Sequence, residues 1–276
     1  MSDIAPARIA PSLIAPTEST SRRLPDWAIT SLSVAIFIGA WEAMRPFIDP
    51  LFASWPSAIL AAAWRMTLNG RLPQALWESA QPFIAGYLLA ALLGIPAGLL
   101  LGRYRVLQAA FGIYVTAGYS TPLIALVPLL LLWFGLGFTV KMVIIFLLTF
   151  FPICINSWAG VRAVPKTLVE VGTAFCASQG SIMSQIVLPA VLPYIMAGLR
   201  LGVGKAVIAM VIAEFLTAIS GLGGIIVSSA NAFRTAEMFV PIIVIMVLAV
   251  LLTNFVEWVE RRVAPWQSEI TGHDGV

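Results

Sequence analysis

Six stretches of roughly twenty mostly apolar residues limit the fold of this chain more than anything else in it. They fall at about 27–44, 79–101, 108–134, 139–160, 190–216 and 238–259. Each is long enough to cross the ~30 Å hydrocarbon core of a bilayer as an α-helix. The expectation is therefore an all-α polytopic membrane protein with six transmembrane helices. Composition agrees, with 60% apolar and 11% charged residues, too little charge to clothe a soluble chain of this length. Two cysteines, Cys154 and Cys176, and one histidine, His273, exclude a disulfide framework and any zinc, haem or iron–sulfur site.

Between the first two runs, Pro46, Pro50, Pro56, Asn69-Gly70 and Pro73 surround a moderately apolar segment, Ser57 to Leu68. This reads as an external loop carrying a short helix. Residues 1–26, rich in Pro, Ser and Thr with Arg8, Arg22 and Arg23, read as a disordered tail without a signal-peptide core. Basic residues set the orientation. With the N-terminus inside, Arg8, Arg22, Arg23, Arg103, Arg105, Arg162, Lys166, Arg200, Arg261 and Arg262 lie on the cytoplasmic side, with Lys205 deeper in a span. Arg45, Arg65, Arg71, Lys141 and Arg234 lie outside. The inner side wins by about two to one, which places both termini, including 264–276, in the cytoplasm.

A polar island interrupts the apolar pattern from Glu170 to Pro189, EVGTAFCASQGSIMSQIVLP. Leu168, Val171 and Phe175 make the apolar face of a short helix, for which Pro165 suits the start. Ser178 can cap a second short helix, and Pro189 can open the next long one. The spacing resembles the EAA loop of ABC transporter permeases: Glu170, then position 176, then Ile186, Leu188 and Pro189. The family's two alanines are here Val171 and Gly172, and its glycine is Cys176, followed by Ala177. The resemblance implies that 162–189 is the coupling helix that docks on the ATP-hydrolysing subunit. It implies contact roles for Glu170, Val171, Gly172, Phe175, Cys176, Ala177, Ile186, Leu188 and Pro189. The orientation independently puts this loop in the cytoplasm.

Further blocks resemble the nitrate/sulfonate/taurine-type branch of those permeases: Pro128 to Gly137 with Lys141, Leu192-Pro193-Tyr194-Ile195, Gly198-Leu199-Arg200, Ala213-Glu214 and Ser220-Gly221-Leu222-Gly223. The branch commonly has an acid where this chain has Phe138 and an arginine where it has Pro82. The resemblance implies that 27–263 is a permease transmembrane domain in the bacterial inner membrane. It implies a small anionic solute, sulfonate-, nitrate- or taurine-like, and three partners: a cytoplasmic ABC ATPase dimer, an external substrate-binding protein and a second permease, as a second copy in a homodimer or as a sister permease in a heterodimer. No nucleic acid is expected.

Gly86, Gly94, Gly98 and Gly102 give the second run small-x-x-x-small spacing, suited to close helix packing, and Pro96 implies a kink. Glu214 lies inside an apolar run, where an acid must face protein or water. Lys141 and Arg234 are its candidate partners near an external mouth. Arg200 and Lys205 either snorkel to inner headgroups or meet an anionic solute in passing. Trp133 and Phe134 either line the pathway or anchor a span end. No G-x-x-x-x-G-K-[ST] occurs; Gly202-Val203-Gly204-Lys205-Ala206 lacks its spacing and hydroxyl. ATP and magnesium therefore belong to the partner ATPase, and the chain is expected to bind no cofactor and to catalyse nothing. The competing reading is an ion-gradient-driven transporter with Glu214 as its intramembrane ion site.

Overall fold

The computed structural model describes residues 25–217 and 220–265. Of the expected tails, 1–24 of 1–26 and 266–276 of 264–276 lie outside them, and Asp26 already opens the first helix. The described residues form helices α1 (Asp26–Ala43), α2 (Pro56–Leu68), α3 (Arg71–Arg103), α4 (Arg105–Ser120), α5 (Val127–Phe134), α6 (Phe138–Ala163), α7 (Lys166–Ala174), α8 (Gln179–Ile182), α9 (Leu188–Thr217), α10 (Gly221–Asn231) and α11 (Thr235–Val263). No strand occurs among them.

Four continuous helices are long and apolar enough to cross a membrane: Arg71–Arg103, Phe138–Ala163, Gln179–Thr217 and Thr235–Val263. The third expected span, 108–134, is not a single rod. It divides into α4 and a second arm, a 3-10 turn over Leu123–Leu126 leading into α5, bent by 86° across Thr121 and Pro122. The cause is Pro122, which has no N–H to donate to the Gly118 carbonyl and so cannot continue α4. Counting this pair as one gives a fifth span, and the apolar segment of α1 is shorter than the rest.

The segment between α1 and α3 carries the short helix that the sequence suggests. Helix α2 opens at Pro56, and its orphan amide at Ser57 donates to Glu42 Oε2 at 2.9 Å. Ser57 Oγ donates to the other oxygen at 2.7 Å, so a carboxylate from α1 caps α2. The long α9 does not start at Pro189. Helix α8 runs through a π turn over Met183–Val187 straight into it. That wider turn lies just ahead of Pro189, where an ordinary i−4 bond is missing.

Helix α6 forms the middle of the bundle, packed along α3 on one side and α9 on the other. The core at this centre comprises Phe83, Val127, Ile144, Ile145, Ala206 and Met210. A second cluster holds α2 against α10 and α11 through Ile59, Ala62, Met66, Leu222 and Val240.

Candidate functional site

Two polar places stand at opposite ends of the bundle. One is the elbow after α6. There α7 carries Leu168, Val171 and, just past its end, Phe175 outward, all exposed. Its opposite face is pinned at Gly172, where a side chain would meet Ile186 Cδ1 at 2.8 Å. The helix ends in a double-bonded reverse turn: Cys176 N–H donates to the Thr173 carbonyl at 2.9 Å and Ala177 N–H to the Gly172 carbonyl at 3.0 Å. This Schellman pattern needs left-handed backbone at the residue after the cap. Cys176 supplies it, with φ of +54°. The turn between the two short helices is thus set by this one residue, just ahead of Ser178.

Ser178 then caps α8 as expected, its Oγ accepting from Ser181 N–H at 3.2 Å. Arg103 at the end of α3 donates to Gln179. The elbow is therefore tied both to α3 and to the helix that leads into α9. Between these elements lies a cleft of about 540 Å³ whose lining includes Arg103, Arg162, Lys166 and Glu170. Glu170 and Leu188 are exposed, and Ile186 and Pro189 half-buried.

Left-handed geometry costs a side-chain-bearing residue about 1–2 kcal/mol relative to glycine. Cys176→Gly is therefore expected to stabilise the elbow by about 1 kcal/mol. The check is amide exchange at 176 and 177, which should slow about fivefold. Unchanged or faster exchange would contradict the assignment of strain to this turn.

The second place is a buried charge cluster at the other end. Lys141, in the first turn of α6, and Glu214, in the last turn of α9, are both buried, with Nζ to Oε1 at 3.6 Å. Glu214 Oε1 also accepts from Ser79 Oγ at 2.6 Å. Lys141 donates to the Ser220 carbonyl and hydroxyl at 3.2 and 2.9 Å. The first three amides of α10 complete the cluster. Gly221 N–H donates to Glu78 Oε2 at 3.0 Å, Leu222 N–H to Ser79 Oγ at 2.9 Å, and Gly223 N–H to Glu214 Oε2 at 2.8 Å.

A helix N-terminus carries orphan amides and partial positive charge, so two carboxylates and a hydroxyl are suitable caps. At Gly221, where φ is +86°, a Cβ would land on the Glu214 carboxylate. The cluster thus fastens α3, α6, α9 and α10 at one point.

Of the four pathway candidates, Lys141 and Glu214 meet, and the other two do not join them. Arg234, the alternative partner, pairs instead with Glu237 at 3.2 Å, which Arg71 shares at 2.9 Å. Arg200 pairs with Glu260 of α11, about 20 Å along α9 from Glu214. Trp133 is exposed at the end of α5. Sequence reasoning missed Glu78, Ser79 and Glu260. The signal for the first two was an acid–hydroxyl pair beside a Ser-Gly-x-Gly helix start, which matters only once α3 and α10 are known to touch.

The family model described as "Binding-protein-dependent transport system inner membrane component" matches residues 90–265. The chain belongs to this family of ABC importer permease subunits. Among relatives, the taurine transport system permease protein of Escherichia coli (strain K12) is 29% identical, covering 88% of this chain and 90% of its own length. A putative aliphatic sulfonates transport permease protein of Bacillus subtilis (strain 168) is 30% identical, covering 91% and 92%. A putative ABC transporter permease protein of Methanocaldococcus jannaschii reaches 35%, covering 84% and 90%. A solved chain from inward-facing MetNI, a methionine ABC transporter, shares the fold, with a TM-score of 0.57 at 18% identity, over 68% of this chain and 93% of that one.

Proposed function

We propose that this permease subunit forms, with a second copy, a translocation pathway for a small sulfonate-like anion in a bacterial inner membrane. In this reading residues 27–263 make six spans with both termini cytoplasmic. A binding protein delivers solute from outside, and the 162–189 elbow docks on a cytoplasmic ATPase dimer that binds ATP and magnesium.

The observation that carries it is the elbow itself. It presents Leu168, Val171 and Phe175 to the outside of the bundle while being anchored from within at Gly172 and Gln179. An exposed apolar face with fixed backing is what a docking helix requires, since it must transmit displacement rather than absorb it. Movement of the elbow would pass into α9 without a flexible joint, because α8, the π turn and α9 are one continuous helix.

The test is co-purification and coupled transport with the ATPase of the same transporter. Phe175→Ala is expected to weaken ATPase association about 30-fold, the effect of losing a central aromatic contact of ~2 kcal/mol. Glu170→Ala is expected to leave assembly measurable and lose transport-coupled ATP hydrolysis. Full assembly and coupling in both variants would remove the elbow from the docking role. Against the ion-driven alternative, the Glu214 oxygens are already engaged by Ser79, Gly223 and Lys141, which leaves poor provision for a transported cation.

A further inference from the structure

Lys205 is unlike the other basic residues of the bundle. It lies about 25 Å along α9 from Leu188 and about 18 Å from Thr217, near the middle of a membrane-length helix. Reaching a headgroup layer from there would require the side chain to stretch along the helix, whereas the cavity it lines lies directly beside it. Among the described residues it has neither an ion pair nor a hydrogen bond, while Arg200 and Lys141 have both. Acids on α9 and on helices packed against it are committed elsewhere: Glu214 to Lys141, Glu260 of α11 to Arg200, and Glu78 of α3 to the start of α10.

Its surroundings show where it points. On α9, Gly202, Val203, Ala206, Ala209, Met210 and Ala213 are buried, while Leu201, Gly204, Lys205 and Ile208 form an exposed stripe. A lysine on such a stripe is costly against lipid tails and tolerable against water or protein. A cavity of about 200 Å³ opens beside it, bounded by Leu148 and Phe151 of α6 and by the break between α4 and α5. That break contributes Tyr119, Thr121 and Pro122. The Thr121 hydroxyl is held by donation to the Ala117 carbonyl at 2.8 Å, and α4 is pressed so close to α6 that a side chain at Gly118 would overlap the Phe151 ring. The broken helix is thereby fixed opposite an unpaired cation, in a space with neutral polar groups and no counter-charge.

We propose that Lys205 and the α4–α5 break form an anion-binding station on the translocation path, taking a small oxyanion such as a sulfonate, carboxylate or nitrate. The proposal rests on reading the chain as a permease for an anionic solute, and it extends that reading to a specific site. It also assigns the stripe at 201, 204, 205 and 208 to the water-filled pathway rather than to lipid. A phosphate headgroup offers the same chemistry, and the test separates the two.

The experiment uses the full chain in phosphatidylcholine liposomes with Cys176→Gly, Cys154 being buried, and Leu201→Cys as reporter one turn from Lys205. The reporter is treated with an anionic sulfonatoethyl or a cationic trimethylammonium-ethyl methanethiosulfonate reagent. The anionic reagent is expected to react about tenfold faster, as a nearby unscreened positive charge would dictate. That preference should collapse with Lys205→Gln, persist with Lys205→Arg, and be competed away by methanesulfonate. No reaction with either reagent, as for a Leu251→Cys control on the exposed face of α11, would place the stripe in lipid and overturn the station. So would equal rates with both reagents. Loss of the preference on adding phosphatidylglycerol would assign the site to a lipid phosphate and likewise overturn it. Methanesulfonate uptake by the chain assembled with its ATPase and binding protein is scored separately. Absent uptake with an intact reagent preference rejects the transport reading and keeps the station; uptake unchanged by Lys205→Gln rejects the station and keeps the transport reading.

Discussion

Lys141→Met is expected to destabilise the folded chain by about 3–5 kcal/mol, the range seen when one partner of a buried ion pair is removed. The loss has two parts. Glu214 keeps a buried carboxylate without its counter-charge, and the Ser220 carbonyl and hydroxyl lose their donor. Because Ser220 is the residue from which α10 starts, the damage extends to the packing of α10 against α3 and α9. Adding Glu214→Gln to Lys141→Met is expected to recover much of the loss. A neutral amide oxygen still accepts from Gly223 N–H, and the uncompensated charge is gone. The measurement is the thermal unfolding midpoint of the purified chain in one detergent, with both single variants and the double compared. A double variant as unstable as the two losses added would refute the pairing. So would a Lys141→Met variant within about 1 kcal/mol of the parent, the scale of an exposed pair.

This cluster also shows which part of the site could be read from sequence. An acid in an apolar run demands a partner, and its candidates by depth and side were Lys141 and Arg234; the structure pairs it with Lys141. The demand follows from the cost of burying a charge, so composition along one helix sufficed. The capping of α10 did not follow, since Glu78 and Ser79 are ordinary residues for the N-terminal part of a long helix. Their role depends on where α10 begins in space. The same holds for Arg200, whose partner Glu260 sits sixty residues further on.

The fold was legible where hydropathy alone decides it. The second, fourth, fifth and sixth apolar runs all lie in continuous membrane-length helices. The third was not legible as a broken element, because the polar interruption, Ser120-Thr121-Pro122, is short and apolar residues resume at once in the 3-10 turn over Leu123–Leu126. Pro122 was visible, but proline inside a long apolar helix has two outcomes. Helix α3 continues through Pro82 and Pro96, and α9 through Pro193, whereas α4 ends. Neighbouring helices decide which outcome holds. Likewise the elbow's residues and spacing were visible, while the left-handed backbone at Cys176 emerged only with the two bonds that close its turn.

Gly98→Leu is expected to have the other large effect, preventing α3 and α6 from meeting and abolishing recovery of folded chain. The seam between these helices is built from residues four apart: Gly86, Ala90, Gly94, Gly98 and Gly102. A Cβ at Gly98 would stand 2.6 Å from Ser157 Cβ and 2.9 Å from the Trp158 backbone nitrogen, and closer still to the Cys154 carbonyl oxygen. Two of those contacts are backbone of a helix packed on both sides, so they cannot swing away as a side-chain tip could. In lipid there is no water to expel from between helices, and association depends on close contact of the backbones themselves. Overpacking at a side-chain boundary costs about 1–3 kcal/mol; against fixed backbone the cost should exceed that range. Gly39→Leu is the matching control, because nothing lies within 4 Å of the added atom on α1. Detergent-solubilised yield and size-exclusion profile of the two variants test this directly. A monodisperse Gly98→Leu chain with unchanged thermal midpoint would mean that α3 and α6 do not pack through this stripe. The long bundle between elbow and charge cluster would then need a different mechanical axis.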